Sequence, residues 1–197
     1  YAESAKSCSH RTVGSAPVRY CHTLEAPLTT EDLVEKMGIL RTVVTVYLVI
    51  CRHDAHCATF LYSILDLDWQ LVSIDGGNKR NAIAREAKAV IAAEEDTLDI
   101  INERLEDYRA EVLEEYGAIE KDIKVGYAEA TGERNLAIDE MTAWNLVTAL
   151  CASPHGVLAM SQEIENFVET STNLASVKMT EPGVIRIGSS QRSCVTA

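Results

Sequence analysis

The stretch LVSIDGGNKRNAIAREAKAVIAA, residues 71–93, decides the fold class that the sequence predicts. Residues 71–74 and 86–93 are short apolar runs of strand length, and Gly76-Gly77-Asn78 between them is typical of a turn. Two such runs around a glycine-rich turn predict antiparallel strands joined as a β-hairpin. The stretch therefore predicts an antiparallel sheet as the framework of the domain.

Two helices are predicted after this hairpin. Residues 96–119 begin with the capping oxygens of Asp96 and Thr97, and apolar side chains then recur every three or four residues along one face. A second helix is predicted over residues 137–152 and ends at Ser153-Pro154. The apolar stripe of the first helix consists of Leu98, Ile101, Leu105, Tyr108, Val112, Leu113 and Tyr116.

Three more strands are predicted, over residues 123–130, 169–179 and 184–195, and a Glu181-Pro182-Gly183 turn joins the last two. Strands and helices mix without the regular alternation of a parallel α/β fold. The sequence therefore predicts an α+β fold, in which an antiparallel sheet carries helices on one face.

The charge and hydropathy of the chain argue against two classes of partner. The 197 residues include 18 Lys and Arg against 30 Asp and Glu, a net charge of −12. Nucleic acid and anionic membrane surfaces attract basic patches, so neither is expected as a partner. No apolar run approaches the roughly 20 residues that cross a bilayer. The six cysteines lack the spread of a secreted disulfide framework, so we expect a cytoplasmic protein with reduced thiols.

The chain divides near residue 57. Residues 1–57 are poorly patterned, with one short capped helix over residues 29–37 at most. Residues 58–197 have clear periodicity and are expected to form the folded domain. We expect the first part to be disordered or to result from out-of-frame translation. The start at Tyr1 rather than Met suggests a fragment or a processed piece.

Three motifs in the second part resemble one family. Residues 76–87 (GGNKRNAIAREA) are similar to a GG-x-x-RNAIPREA segment. Residues 152–157 (ASPHGV) and 168–174 (VETSTNL) are similar to a TPNGV…VETSLN run, and residues 189–195 (SSQRSCV) lie where the family has a strand ending in IRS. The order and spacing of these motifs resemble the aminoacyl-histidine dipeptidases, which are M20-type zinc metallopeptidases.

The resemblance implies an enzyme of two domains. A catalytic domain would bind two zinc ions, and a smaller lid of ferredoxin-like topology would mediate dimerisation and close over a dipeptide substrate. This chain is similar to the lid. The parent enzyme would hydrolyse Xaa-His and related dipeptides, its catalytic domain and zinc ligands would lie outside this chain, and the chain alone would be inactive. A non-catalytic α+β domain that serves interaction and dimerisation is the alternative.

Two residues match the substrate contacts of the family. Asn81 matches a lid asparagine whose amide would hydrogen-bond the substrate backbone or the developing oxyanion. Arg192 matches a strand arginine whose guanidinium suits the substrate's C-terminal carboxylate. Structural roles stay open, because Asn81 also suits an unusual turn and Arg192 also suits a strand surface. Ala84 replaces the family's proline, which loosens the turn that presents Asn81, and Arg80 and Arg85 are interpreted as structural or supporting residues.

The family's Gly-Gly-His-Ser segment is absent where the resemblance expects it, ahead of residue 65. The codons that encode residues 41–46 (RTVVTV) permit Asp-Gly-Gly-His-Ser in another reading frame, which is the basis of the out-of-frame hypothesis. The zinc ligands of the family are absent too. Glu94-Glu95 and Glu114-Glu115 are interpreted as surface charge, because no histidine lies near either pair.

Two sites built from cysteine and histidine remain as alternatives. The first is a zinc site formed by Cys51, His53, His56 and Cys57. Two thiolates and two imidazoles suffice for tetrahedral coordination, although the spacing of these residues matches no common zinc module. Cys151 and His155, four residues apart, are candidates for a nucleophile and its base.

Overall fold

The computed structural model describes residues 18–27, 33–35, 42–49, 55–79, 82–130, 136–181 and 184–195. Strands and helices alternate irregularly along these ranges. The strands are β1 (Val18–Pro27), β2 (Leu33–Glu35), β3 (Thr42–Val49), β4 (Trp69–Gly76), β5 (Glu86–Ala93), β6 (Lys124–Glu129), β7 (Leu136–Ile138), β8 (Gly156–Met160), β9 (Val168–Glu181) and β10 (Val184–Ser193). The helices are α1 (Ala55–Ser63), α2 (Glu95–Tyr116) and α3 (Glu140–Ala152).

Eight of these strands form one antiparallel sheet, in the order β1-β10-β9-β4-β5-β3-β6, with β8 also paired to β9. Within it, β3, α1, β4, β5, α2 and β6 follow one another along the chain, and their strands lie in the spatial order β6-β3-β5-β4. This βαββαβ unit has the ferredoxin-like topology. The prediction of an α+β fold with an antiparallel sheet is confirmed.

The hairpin predicted over residues 71–93 is confirmed. β4 and β5 pair from Trp69 opposite Ala93 to Gly76 opposite Ala87. Directly after β4, Gly77 has a φ of 63°, in the left-handed region that favours glycine, which allows the chain to turn there. A glycine therefore stands where the chain leaves β4 for the loop of the hairpin.

The helix predicted over residues 137–152 corresponds to α3, but the predicted start was wrong. Residues Leu136–Ile138 form β7 and pair with β2, so the helix begins only at Glu140. Asp139 caps it, because its carboxylate accepts a hydrogen bond from the backbone N–H of Thr142 at 3.0 Å. The apolar spacing before Asp139 is compatible with a helix, but these residues pair as a strand with a segment distant in sequence.

Strands also occur between residues 18 and 49. β1 pairs along ten residues with β10, and β3 lies between β5 and β6. Leu33–Glu35 is a strand, so the short helix expected over residues 29–37 is wrong at those residues. The division of the chain at residue 57 and the out-of-frame origin of residues 1–57 stay predictions.

The helices cover one face of the sheet. Phe60 of α1, Leu105 of α2 and Leu150 of α3 are fully buried in one core with the strand residues Leu71 and Ile91. Burying such side chains is the main favourable term in folding. A smaller cluster of Val72, Ala92 and Ala137 is separate from this core, as expected because successive strand residues face opposite sides. None of the described helices is long and apolar enough to cross a membrane.

Candidate functional site

A cavity of about 380 Å³ lies where β8, β9 and β10 run side by side. This volume is within the range of roughly 300–1,000 Å³ that is usual for small-molecule sites. Residues of all three strands and the loop before β5 line it. The cavity thus gathers parts of all three motifs singled out in the sequence.

One side of the cavity is polar. In the pairing of β9 with β10, Arg192 lies opposite Ser171 and Ser190 lies opposite Asn173. Residues directly opposite each other, and residues two apart on one strand, share a face of the sheet, so these four side chains form one polar patch. Arg192 is exposed, and none of the ion pairs among the described residues involves it. Its guanidinium is therefore available to an anionic ligand.

The other side of the cavity is apolar. Ile83, Val157 and Val168 line it, and all three are large hydrophobic side chains that stay exposed. Val157 of β8 lies opposite Ser171 of β9, which in turn lies opposite Arg192. One row across three strands therefore leads from an apolar residue, over a small hydroxyl residue, to a cation.

His155 lines the same cavity, one residue before β8. Its Nδ1 accepts a hydrogen bond from the backbone N–H of Leu174 at 3.2 Å. Because Nδ1 is the acceptor, the neutral ring carries its proton on Nε2. Leu174 lies on β9 between Thr172, the last residue paired with β8, and Val177, where pairing with β4 begins. The imidazole thus supplies an acceptor on the side of β9 where neither β8 nor β4 pairs with Leu174.

Asn173 connects the cavity to the loop that carries the first motif. Its Nδ2 donates a hydrogen bond to the backbone carbonyl of Ala82 at 3.0 Å. Its Oδ1 is buried and has no hydrogen-bond partner within the part of the chain that the structure describes. Asn81 and its neighbour Arg80, both singled out from the sequence, lie outside the described residues.

The described structure does not support the alternative zinc site of cysteine and histidine residues. Cys51 and His53 lie outside the described residues, whereas Cys57 is buried in the core and Nδ1 of His56 lies 2.9 Å from the hydroxyl of Tyr108. Among the described residues no three His, Cys, Asp or Glu side chains are grouped so as to hold a metal ion. The described residues therefore do not fit a zinc site.

Cys151 and His155 do not form an activated pair. Burial raises the pKa of the Cys151 thiol, which disfavours the nucleophilic thiolate. Nδ1 of His155 is engaged by a backbone N–H, as described above. The acidic pairs Glu94-Glu95 and Glu114-Glu115 are exposed to solvent, as expected for surface charge.

Comparisons with known proteins agree with this architecture. Residues 23–117 match the family model described as the peptidase dimerisation domain of the M20 type. The cytosol non-specific dipeptidase of Escherichia coli (strain K12) is 31% identical over 119 residues, which are 60% of this chain and 24% of the relative. The crystal structure of aminoacylhistidine dipeptidase from Vibrio alginolyticus matches with a TM-score of 0.76 and 25% identity.

That structural match covers 91% of this chain and 39% of the Vibrio chain. The chain therefore spans well under half the length of the relatives that it matches. The family match extends over β3, α1, β4, β5 and α2, which make up most of the ferredoxin-like unit. In sequence over residues 23–117 and in fold, the chain is therefore similar to the M20 peptidase dimerisation domain.

Proposed function

We propose that this chain supplies the substrate-binding part of a metal-dependent dipeptidase that hydrolyses Xaa-His and related dipeptides. The observation that carries the proposal is the exposed guanidinium of Arg192 at the polar side of the cavity. Two relatives are named as dipeptidases, which supports this substrate class. The last peptide bond of a peptide lies one residue from the C-terminal carboxylate, so a fixed cation would place that bond for cleavage.

Arg192 would hold the C-terminal carboxylate of the substrate. A guanidinium donates two parallel N–H bonds to a carboxylate, and such charge-assisted bonds are stronger than neutral ones. The hydroxyls of Ser171 and Ser190 share the face of Arg192 and offer further donors. This contact would orient the substrate without itself taking part in bond cleavage.

Asn81 would contact the scissile peptide bond of the substrate. Ala82 follows Asn81 directly in the chain, and the carbonyl of Ala82 is held by the cavity residue Asn173. That tether supports Asn81 as a candidate substrate contact. Its amide Nδ2 would donate to the scissile carbonyl, where negative charge develops during hydrolysis.

The metal chemistry would belong to another part of the parent enzyme. The resemblance implies two zinc ions, and the described residues of this chain do not fit a metal site. When bound, such ions would supply an activated water. We therefore propose that the chain alone does not hydrolyse dipeptides. A cytoplasmic location is proposed as well, supported by the word cytosol in the name of the Escherichia coli relative.

Self-association is a second proposed role, supported by the description of the matched family as a dimerisation domain. The chain has a mass of 21.6 kDa. Sedimentation equilibrium is expected to give twice that mass at micromolar concentration. A mass that stays at 21.6 kDa at all concentrations tested would refute dimerisation by this chain.

Binding of a dipeptide to the 197-residue chain tests the main proposal. Titration with Ala-His, followed by NMR chemical shifts, is expected to perturb the amides of β9 and β10 around the cavity. Arg192→Ala should weaken binding at least about tenfold, because a charge-assisted contact is lost. Arg109→Ala is the matched control, since Arg109 lies on α2 and pairs with Glu106. Equal affinity of the two variants would remove Arg192 from the site.

A further inference from the structure

The row Val157–Ser171–Arg192 fixes where the side chain of a bound C-terminal residue would lie. Neighbouring strands are about 4.8 Å apart, so Val157 and Arg192 are separated by roughly 10 Å across the sheet. A carboxylate bound by Arg192 would leave the attached α-carbon near Ser171, the small middle residue. A side chain that continues away from the carboxylate would then extend towards Val157.

The surface it reaches is apolar. Val157 is 55% exposed and Ile83 is 50% exposed, although both line a concave site. Covering large apolar side chains at the wall of a cavity with an apolar ligand group removes their surface from water, which favours binding. The described residues bring no carboxylate to the cavity lining, so nothing there would compensate a positively charged ligand side chain.

We propose that Val157 and Ile83 determine specificity by selecting dipeptides whose C-terminal side chain is apolar or aromatic, a neutral imidazole included. The proposal rests on the proposed function, because the carboxylate contact with Arg192 sets the position of the selected side chain. A C-terminal glycine leaves the apolar wall uncovered. A C-terminal lysine brings an ammonium group towards that wall and towards Arg192, where its desolvation and the like charge both weaken binding.

Three dipeptides, Ala-Leu, Ala-Gly and Ala-Lys, test this selection on the 197-residue chain by NMR titration. Ala-Leu should bind at least about tenfold more tightly than Ala-Gly, and Ala-Lys most weakly. Val157→Ser should reduce the preference for Ala-Leu over Ala-Gly about fourfold, the effect of roughly one lost methylene contact. Ile83→Ser is a second variant with the same expected direction.

Leu158→Ser is the matched control. Leu158 is 54% exposed and adjacent to Val157, but it does not line the cavity. It should leave the ratio of the two affinities unchanged, and an HSQC spectrum of each variant checks that the fold is kept. If Val157→Ser and Ile83→Ser change the ratio no more than Leu158→Ser, the specificity proposal is overturned. If Arg192→Ala binds each of the three dipeptides as tightly as the wild type does, the proposed function is overturned instead.

Discussion

The amide Nδ2 of Asn173 donates to the backbone carbonyl of Ala82 at 3.0 Å, across 91 positions of sequence. Asn173 belongs to the long strand β9, and Ala82 to the loop between β4 and β5. A rigid strand therefore positions a loop that carries a candidate substrate contact. Sites of this kind depend on such supporting contacts, because a loop alone holds its side chains loosely.

Asn173→Asp tests this contact. The substitution keeps the shape of the side chain but replaces the donor with an oxygen that faces the carbonyl of Ala82, so it should lower the free energy of unfolding by about 1–3 kcal/mol. Asn145→Asp, at an exposed position of α3, is the control and should change it by no more than about 0.5 kcal/mol. Urea unfolding measures both, and equal stabilities would show that the bond contributes nothing.

Phe60→Ala tests the core beneath the sheet. Phe60 of α1 is fully buried, and the centroid of its ring lies 5.6 Å from the ring centroid of Tyr108 on α2. Removing it should cost about 3–5 kcal/mol, from lost burial and the cavity that remains. Tyr62→Ala on the same helix is the control, because Tyr62 is 51% exposed. Calorimetric or denaturant unfolding that gives similar losses for both variants would contradict this placement of α1.

The pair Asp66 and Arg104 links α2 to the turn after α1. Arg104 donates to both carboxylate oxygens of Asp66, at 2.6 and 2.8 Å, and this hydrogen bonding holds the pKa of Asp66 below its usual range. A lowered folded-state pKa stabilises the fold above the unfolded pKa, and this contribution is lost as pH falls through the folded pKa. Carboxyl NMR titration should therefore show a higher pKa for Asp66 in Arg104→Ala than in the wild type. Arg109→Ala should not change it; an unchanged pKa in Arg104→Ala would refute the pairing.

Thiol accessibility separates the described cysteines. Cys194 is exposed, Cys151 is partly buried with a raised pKa, and Cys57 is buried in the core. Because the thiolate is the reactive form and needs access, alkylation by iodoacetamide should proceed in the order Cys194, Cys151, Cys57. Peptide mass spectrometry follows each site separately. Faster labelling of Cys151 than of Cys194 would contradict this order and would indicate that His155 activates Cys151.

The local part of the fold was predictable from the sequence. The hairpin over residues 71–93 and the long helix after it follow from turn residues and from apolar spacing, which act within a few positions. β1, β2 and β8 were not predicted, because their strand character depends on partners distant in sequence. The same long-range pairing changed the start of α3, where β7 pairs with β2.

The candidate site was predictable only in part. Arg192 was found through a motif, and the structure places it in the cavity with Asn173 and His155, which lie in the second motif. The sequence predicted no role for Asn173, and for His155 only that of a base beside Cys151, since their hydrogen bonds to Ala82 and Leu174 exist only after folding. Val157 carries no sequence signal beyond its hydrophobicity. A search for polar residues alternating along the paired strands would have found Ser171 and Asn173.

The most direct test of a carboxylate site at Arg192 compares Ala-Leu with Ala-Leu amide as ligands of the unmodified chain. Both fill the cavity equally, but only the first offers a carboxylate to the guanidinium. NMR titration should give a dissociation constant at least about tenfold lower for Ala-Leu, with the largest shift changes at β9 and β10 beside Arg192. Equal dissociation constants for the two ligands would contradict the assignment of this cavity as the place where a dipeptide's C-terminus is bound.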